Sequence, residues 1–247
     1  MGIDLTNGAP PYSRAPCALG PISGSVAACV RCSRRRRGTR SGQQEPHQHQ
    51  LDPVREAVEE MVKLRSKCLL LGDAAVGKST LCQMFSSDGV HFQRSYTMTA
   101  GVELFTKCVS IADSGHSVEL YLLDCPGKEL LAEACDHMWG APWLLCLVFD
   151  LSNEQSFLSC DRWMERIKAH SLGNTVSGVL VGNKSDLSER RVVPLEQAQD
   201  WAQTHTLAYH ETSAKELDTC SAPLLSLAQT YLSLYEQSCE TSRSLLT

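Results

Sequence analysis

From Lys67 onward the chain alternates short apolar runs with stretches of helical spacing. KCLLLGD, Lys67 to Asp73, reads as a buried strand ending in a glycine loop, and KSTLCQMF as the helix that leaves that loop. VELFTKCVSIA and SVELYLLD have β-type content and are joined by the turn-like DSGH, which predicts a hairpin. WLLCLVFD and GVLVGNK are continuous apolar runs of the kind a parallel sheet buries on both faces. Helical patterns follow in EQSFLSCDRWMERIKAH, PLEQAQDWAQTH and APLLSLAQTYLSLYEQ, and LAYHETS between the last two supplies a final strand. Strands alternating with helices predict an α/β fold: a mostly parallel six-stranded sheet with helices on both faces. Upstream, Asp52 reads as a helix cap, Pro53 fits a first helical position, and Val54, Val58 and Met61 follow at helical spacing. Residues 51–65 therefore read as a short helix or linker.

Composition divides the 247 residues. Six of the ten prolines lie in the first 53 residues, and the first sixty contain one aromatic, Tyr12. Such a segment cannot bury enough apolar surface to offset its chain entropy, so residues 1–50 are expected to be a disordered Pro/Arg-rich extension. The expected domain is 66–240, with 241–247 as a tail. Residues 61–247 carry 15 basic and 22 acidic groups, and this acidic body argues against nucleic-acid binding through the domain surface. Arg34 to Arg37 form a short basic run of the kind that meets nucleic acid, anionic lipid or import factors, or stays a solvated patch in a tail.

Twelve cysteines follow no secretory signal, which fits a reducing cytosolic compartment with mostly buried free thiols. Cys29 and Cys32 form one CxxC, but His47 and His49 lack the spacing of a zinc finger. Apolar stretches such as WLLCLVF are far below the roughly 18 residues of a membrane span.

The chemistry concentrates in loops after strands. Gly72-Asp73-Ala74-Ala75-Val76-Gly77-Lys78-Ser79 fits G-x-x-x-x-G-K-[ST] between a predicted strand and a predicted helix. Small residues let backbone N–H groups turn inward around a polyphosphate, and the helix N-terminus adds its positive end. Lys78 would reach the β and γ phosphates and the Ser79 hydroxyl would ligate Mg²⁺. GNKSD, Gly182 to Asp186, follows the strand GVLV. The Asp186 carboxylate can accept two hydrogen bonds from the N1–H and N2–H₂ of guanine, a donor pair that adenine lacks. ETSAK, Glu211 to Lys215, would bring backbone N–H groups to the guanine O6.

GDAAVGKS, TAG at Thr99 to Gly101, DCPG, NKSD and ETSAK occur in the order found in Ras-like small GTPases, which the chain resembles over residues 66–236. TAGVEL and FDLSNEQSF have Rab-like character. SDGVHFQRSYTMTAG, the lysine of DCPGKE and an end without lipidation cysteines resemble the Rab-like branch that serves the intraflagellar transport B complex. The resemblance implies a GTP/GDP site formed by Gly72, Ala74, Ala75, Val76, Gly77, Lys78, Ser79, Thr80, Phe92, Thr99, Gly127, Asn183, Lys184, Asp186, Ser213, Ala214 and Lys215. Mg²⁺ would be held by Ser79 and Thr99, with Asp124 acting through water. Phe92 would pack against the guanine or serve as an ordinary core aromatic. Ala74 and Ala75 stand where such proteins often have glycine or serine, and their methyls would crowd the γ-phosphate side.

Lys128 occupies the position where a hydrolysing member usually has glutamine. Glutamine both accepts from the attacking water and donates to the transferring group, whereas an ammonium only donates. The expectation is a binding-competent, slowly hydrolysing protein to which no catalytic residue is assigned. Three function classes follow: a nucleotide-gated scaffold, a cycling GTPase activated by a partner in trans, and an adaptor with a relict site. The resemblance further implies intraflagellar transport subunit 25 and complex B as partners, an Arf-like GTPase linked to the BBSome, and residence in cytoplasm, cilium and basal body. The chain ends SLLT with Cys239 eight residues from the end, so no prenylation signal is expected. MGIDLT fits the N-myristoylation pattern, but a single acyl chain anchors only marginally without a second signal such as the arginine run.

Overall fold

The computed structural model describes residues 62–87, 97–112, 114–140, 144–171 and 175–245. The N-terminal extension, the cap and core positions of the expected 52–65 helix, and Phe92 lie outside the described residues.

Six strands form one sheet: β1 (Lys63–Leu71), β2 (Glu103–Ser110), β3 (Ser117–Asp124), β4 (Leu144–Asp150), β5 (Gly178–Asn183) and β6 (Leu207–Thr212). Their order is β2-β3-β1-β4-β5-β6, with β2 antiparallel to β3 and all other neighbours parallel. Helices α1 (Lys78–Ser87), α2 (Glu129–Cys135), α3 (Glu154–His170), α4 (Leu195–Thr204) and α5 (Leu217–Ser244) complete the domain. Among the described residues no helix is long and apolar enough to cross a membrane.

The alternation of a strand explains the two cores. From β1, Cys68 and Leu70 face one layer with Leu81 and Phe85 of α1 and Leu224 and Leu227 of α5. Leu69 and Leu71 face the other, with Phe157 and Trp163 of α3, Ala198 and Ala202 of α4, and Trp139. Central strand β4 is buried at every position, as its unbroken apolar run predicts.

The structure departs from the sequence reading at two boundaries and in one element. β1 begins at Lys63, inside the segment expected to be helix or linker. Leu64 and Ser66 are buried while Lys63 and Arg65 point outward to Glu119, and Lys63–Leu70 pairs with Ser117–Asp124. Period-two burial and a parallel partner therefore override the helical spacing that ends at Met61. α5 passes the expected boundary at 240 and runs to Ser244, with Thr241 and Ser242 hydroxyls donating to the Gln237 and Ser238 carbonyls. α2 was not anticipated, because its seven residues bury only Ala132 and leave no legible apolar period.

Candidate nucleotide-binding site

β1 has its parallel neighbours β3 and β4 on opposite sides, so the chain's crossovers diverge at its C-terminal end. An open α/β sheet binds its ligand at such a divergence. There a cavity of about 480 Å³ opens between the 72–79 loop, the 183–187 turn and the 213–215 turn.

The loop is shaped by its own residues. Gly77 has φ +102°, a conformation that favours glycine. Ala75 adopts φ +64°, costing about 1–2 kcal/mol for a residue with a side chain, and its carbonyl accepts Lys184 Nζ at 2.9 Å. Lys78 is buried, and its ammonium donates to the carbonyls of Gly72 (2.8 Å) and Asp73 (2.9 Å). Burial lowers the Lys78 pKa, and the nearby Asp124 charge offsets part of that. An ammonium that caps two loop carbonyls can exchange them for phosphate oxygens.

Beside it, Ser79 Oγ and Thr99 Oγ1 lie 2.8 Å apart, and Thr99 Oγ1 donates to Asp124 Oδ2 at 3.5 Å. Asp124 is fully buried, and its Oδ1 has no hydrogen-bond partner. Burial raises the Asp124 pKa, opposed by the Ser79 hydroxyl and the Lys78 charge. Two hydroxyls beside a buried carboxylate that keeps one oxygen orphaned are a hard-oxygen donor set, and they fit Mg²⁺. Gly127 closes this end: a Cβ there would lie 2.4 Å from the Ala74 nitrogen. Lys128 is exposed at the cavity wall.

At the other end, the Asp186 carboxylate accepts the Ser213 hydroxyl at 2.7 Å and the Lys215 ammonium. Burial alone would raise its pKa, but these hydrogen bonds outweigh it and hold Asp186 below the usual carboxylate value. Asn183 is buried and its amide ties the Val76 carbonyl (2.8 Å) to Thr212 of β6 (3.2 Å). Lys184 Nζ bonds Asp150 Oδ2 at 2.6 Å, so its ammonium joins the phosphate loop to the end of β4.

A Ras family profile matches residues 67–233. The chain belongs to the Ras family. Its relatives include an intraflagellar transport protein 27 homolog from Bos taurus, 49% identical over 186 residues that cover 75% of this chain and 100% of that protein. Intraflagellar transport protein 27 of Chlamydomonas reinhardtii is 43% identical over 180 residues, covering 70% and 87% of the two chains. The Ras-related protein Rab-10 of Caenorhabditis elegans is 34% identical over 149 residues, 60% and 72% of the two chains. The chain is thus a Rab-like member of a family whose proteins bind guanine nucleotides, usually with Mg²⁺.

Within this Ras-family domain the cavity collects Ala74, Ala75, Gly77, Lys78, Ser79, Thr80, Thr99, Gly127, Lys128, Asn183, Lys184, Asp186, Ser213, Ala214 and Lys215. Gly72, Val76 and Asp124 stand behind the wall: Val76 is buried in the core and contributes its carbonyl, and Gly72 receives Lys78. Gln83, Thr97, Met98, Glu103 and Leu187 also line the cavity and were not singled out from sequence. Gln83 follows Ser79 by one helical turn, a spacing that was available. Asp150, the carboxylate that fixes Lys184, was also missed; an acid closing an apolar strand is its only signal.

Proposed function

We propose that the chain is a GTP-binding, slowly hydrolysing Rab-like subunit of the intraflagellar transport B complex, acting as a nucleotide-gated scaffold for ciliary cargo transport and BBSome export. The reading is supported most directly by Lys128, exposed beside the phosphate end of a cavity whose other end holds an ionised Asp186.

In this account the inward N–H groups of the 74–79 segment and the Lys78 ammonium bind the polyphosphate. Ser79, Thr99 and, through water, Asp124 would hold Mg²⁺, which would supply positive charge against the polyphosphate. Asp186 accepts from guanine N1–H and N2–H₂, which excludes adenine. Thr99 and the Gly127 N–H sense the γ-phosphate. The Lys128 side chain has no hydrogen bond or ion pair among the described residues, so its ammonium is free to meet that phosphate. It has no lone pair with which to orient an attacking water. Charge at this position therefore favours the bound triphosphate without organising the nucleophile, and turnover is slow.

The names of the relatives above support membership of the intraflagellar transport machinery and residence at the cilium. The account adds partnership with intraflagellar transport subunit 25, an Arf-like GTPase linked to the BBSome, and a location that includes cytoplasm and basal body. It is tested by affinity purification of the tagged full chain from ciliated cells, beside Asp186→Asn. Bound guanine nucleotide and complex B subunits are expected with the native chain, and less of both with the variant. A chain that carries no guanine nucleotide, or purifies without complex B subunits, would overturn it.

A further inference from the structure

We propose that Arg162 is a positioning residue that straps the lysine-bearing segment 127–129 to the phosphate loop, so that this segment is ordered before GTP arrives. The proposal rests on the nucleotide-site reading and adds how that site is regulated.

Arg162 lies on α3, outside the cavity, and its guanidinium bridges two carboxylates. One nitrogen donates to Asp73 Oδ1 at 3.2 Å, and the other donates to Glu129 Oε2 at 3.2 Å. Asp73 belongs to the phosphate loop, between Gly72 and Ala74. Glu129 is the first residue of α2 and directly follows Lys128. The bridge has a fixed abutment. The buried Trp163 donates its indole N–H to the same Asp73 oxygen at 2.8 Å, and the Arg162 guanidinium lies 5.9 Å from the Trp163 ring centroid. Gly127 meanwhile sits directly against the Asp73 and Ala74 backbone.

A planar guanidinium can serve two carboxylates at once, which an ammonium on a flexible stem does less well. The strap restrains the backbone after Lys128 through Glu129, and the close approach of Gly127 to the Asp73 it holds restrains the backbone before it. GTP needs the Gly127 N–H in place over its γ-phosphate, whereas GDP has no γ-phosphate to meet it. Ordering the segment in advance removes a conformational cost that only the triphosphate would otherwise bear. Arg162 thus favours GTP over GDP without touching either.

The test uses the full chain and three variants: Arg162→Gln, Glu129→Gln, and the double variant. Each single change should weaken GTP binding about two- to fivefold, the range of an exposed ion pair, and leave GDP binding unchanged. The double variant should lose no more than either single one, and the difference should fade at ~1 M salt. Without added nucleotide, amides of residues 130–135 should exchange with solvent about two- to fivefold faster in each variant. Parallel losses for GDP and GTP, additive effects in the double variant, or unchanged exchange in α2 would overturn the strap. A native chain that binds neither nucleotide would instead overturn the site reading, and the exchange comparison would still decide the strap.

Discussion

Gly127→Ala tests the contact between the segment carrying Lys128 and the phosphate loop. A methyl there would lie 2.4 Å from the Ala74 nitrogen and 2.5 Å from both the carbonyl carbon and oxygen of Asp73. Carbon contacts settle at about 3.5–4.0 Å, so the two backbones must part by about 1 Å. These are backbone atoms, and no side chain can rotate to give way. Overpacking of this kind costs about 1–3 kcal/mol, and about 2–4 °C in Tm per kcal/mol applies to a domain of this size. Thermal unfolding followed by circular dichroism should therefore show a drop of about 2–12 °C. Gly101→Ala is the control: nothing lies within 4 Å of the added carbon, and Tm should stay level or rise slightly. The displacement also carries the Gly127 N–H away from the γ-phosphate. Losing one hydrogen bond to a charged group, about 1.5–3 kcal/mol, should weaken GTP about 10- to 100-fold while GDP is largely spared. Competition binding with a fluorescent nucleotide reads this directly. A melting point within about 1 °C of the native chain, or equal losses for GDP and GTP, would refute the reasoning.

Four further outcomes are expected. Lys184→Met leaves the nearly buried Asp150 carboxylate with only the Ser152 N–H and hydroxyl, so urea unfolding should show a loss of about 2–3 kcal/mol. Asp186→Asn should weaken GTP about 10- to 100-fold with no gain for ATP. Because the folded Asp186 pKa is depressed, its contribution is complete above the ordinary value of ~3.9 and is lost only as pH falls through the lower folded value. GTP affinity titrated from neutral pH to about pH 5 should accordingly show no Asp186-dependent loss. Burial, reinforced by Asp124, pushes the Cys125 thiol up to about 12, so it stays protonated at pH 8, while Cys108 is exposed. Alkylation followed by mass spectrometry should label Cys108 and spare Cys125 in the folded chain.

Legibility in the sequence followed the physics of each element. Strands β4 and β5 were readable because burial on both faces leaves an uninterrupted apolar run, and α3 because seventeen residues give a helical period room to repeat. β1 was misread at its start, where Lys63 and Arg65 alternate with Leu64 and Ser66 in a period too short to compete with the spacing before it. In the candidate site, the motif residues singled out from sequence are brought to one cavity: the loop, Ser79, Thr99 and Asp186, with Asp124 behind the wall. The residues that hold them were not singled out. Asp150 under Lys184, and Arg162 and Trp163 behind Asp73, owe their roles to tertiary approach across about 30 to 90 positions, and no local spacing encodes that.

Single-turnover GTP hydrolysis by the full chain loaded with GTP and Mg²⁺, run beside Lys128→Gln, tests the central claim most directly. The Lys128 side chain is exposed and has no hydrogen bond or ion pair among the described residues for the substitution to break, so the comparison isolates the chemistry of the side chain. The account predicts stable loading, a native rate at or below the ~10⁻⁴ s⁻¹ of an unassisted glutamine-bearing small GTPase, and a faster rate in the variant. Brisk hydrolysis by the native chain, or a glutamine variant no faster than lysine, would contradict it.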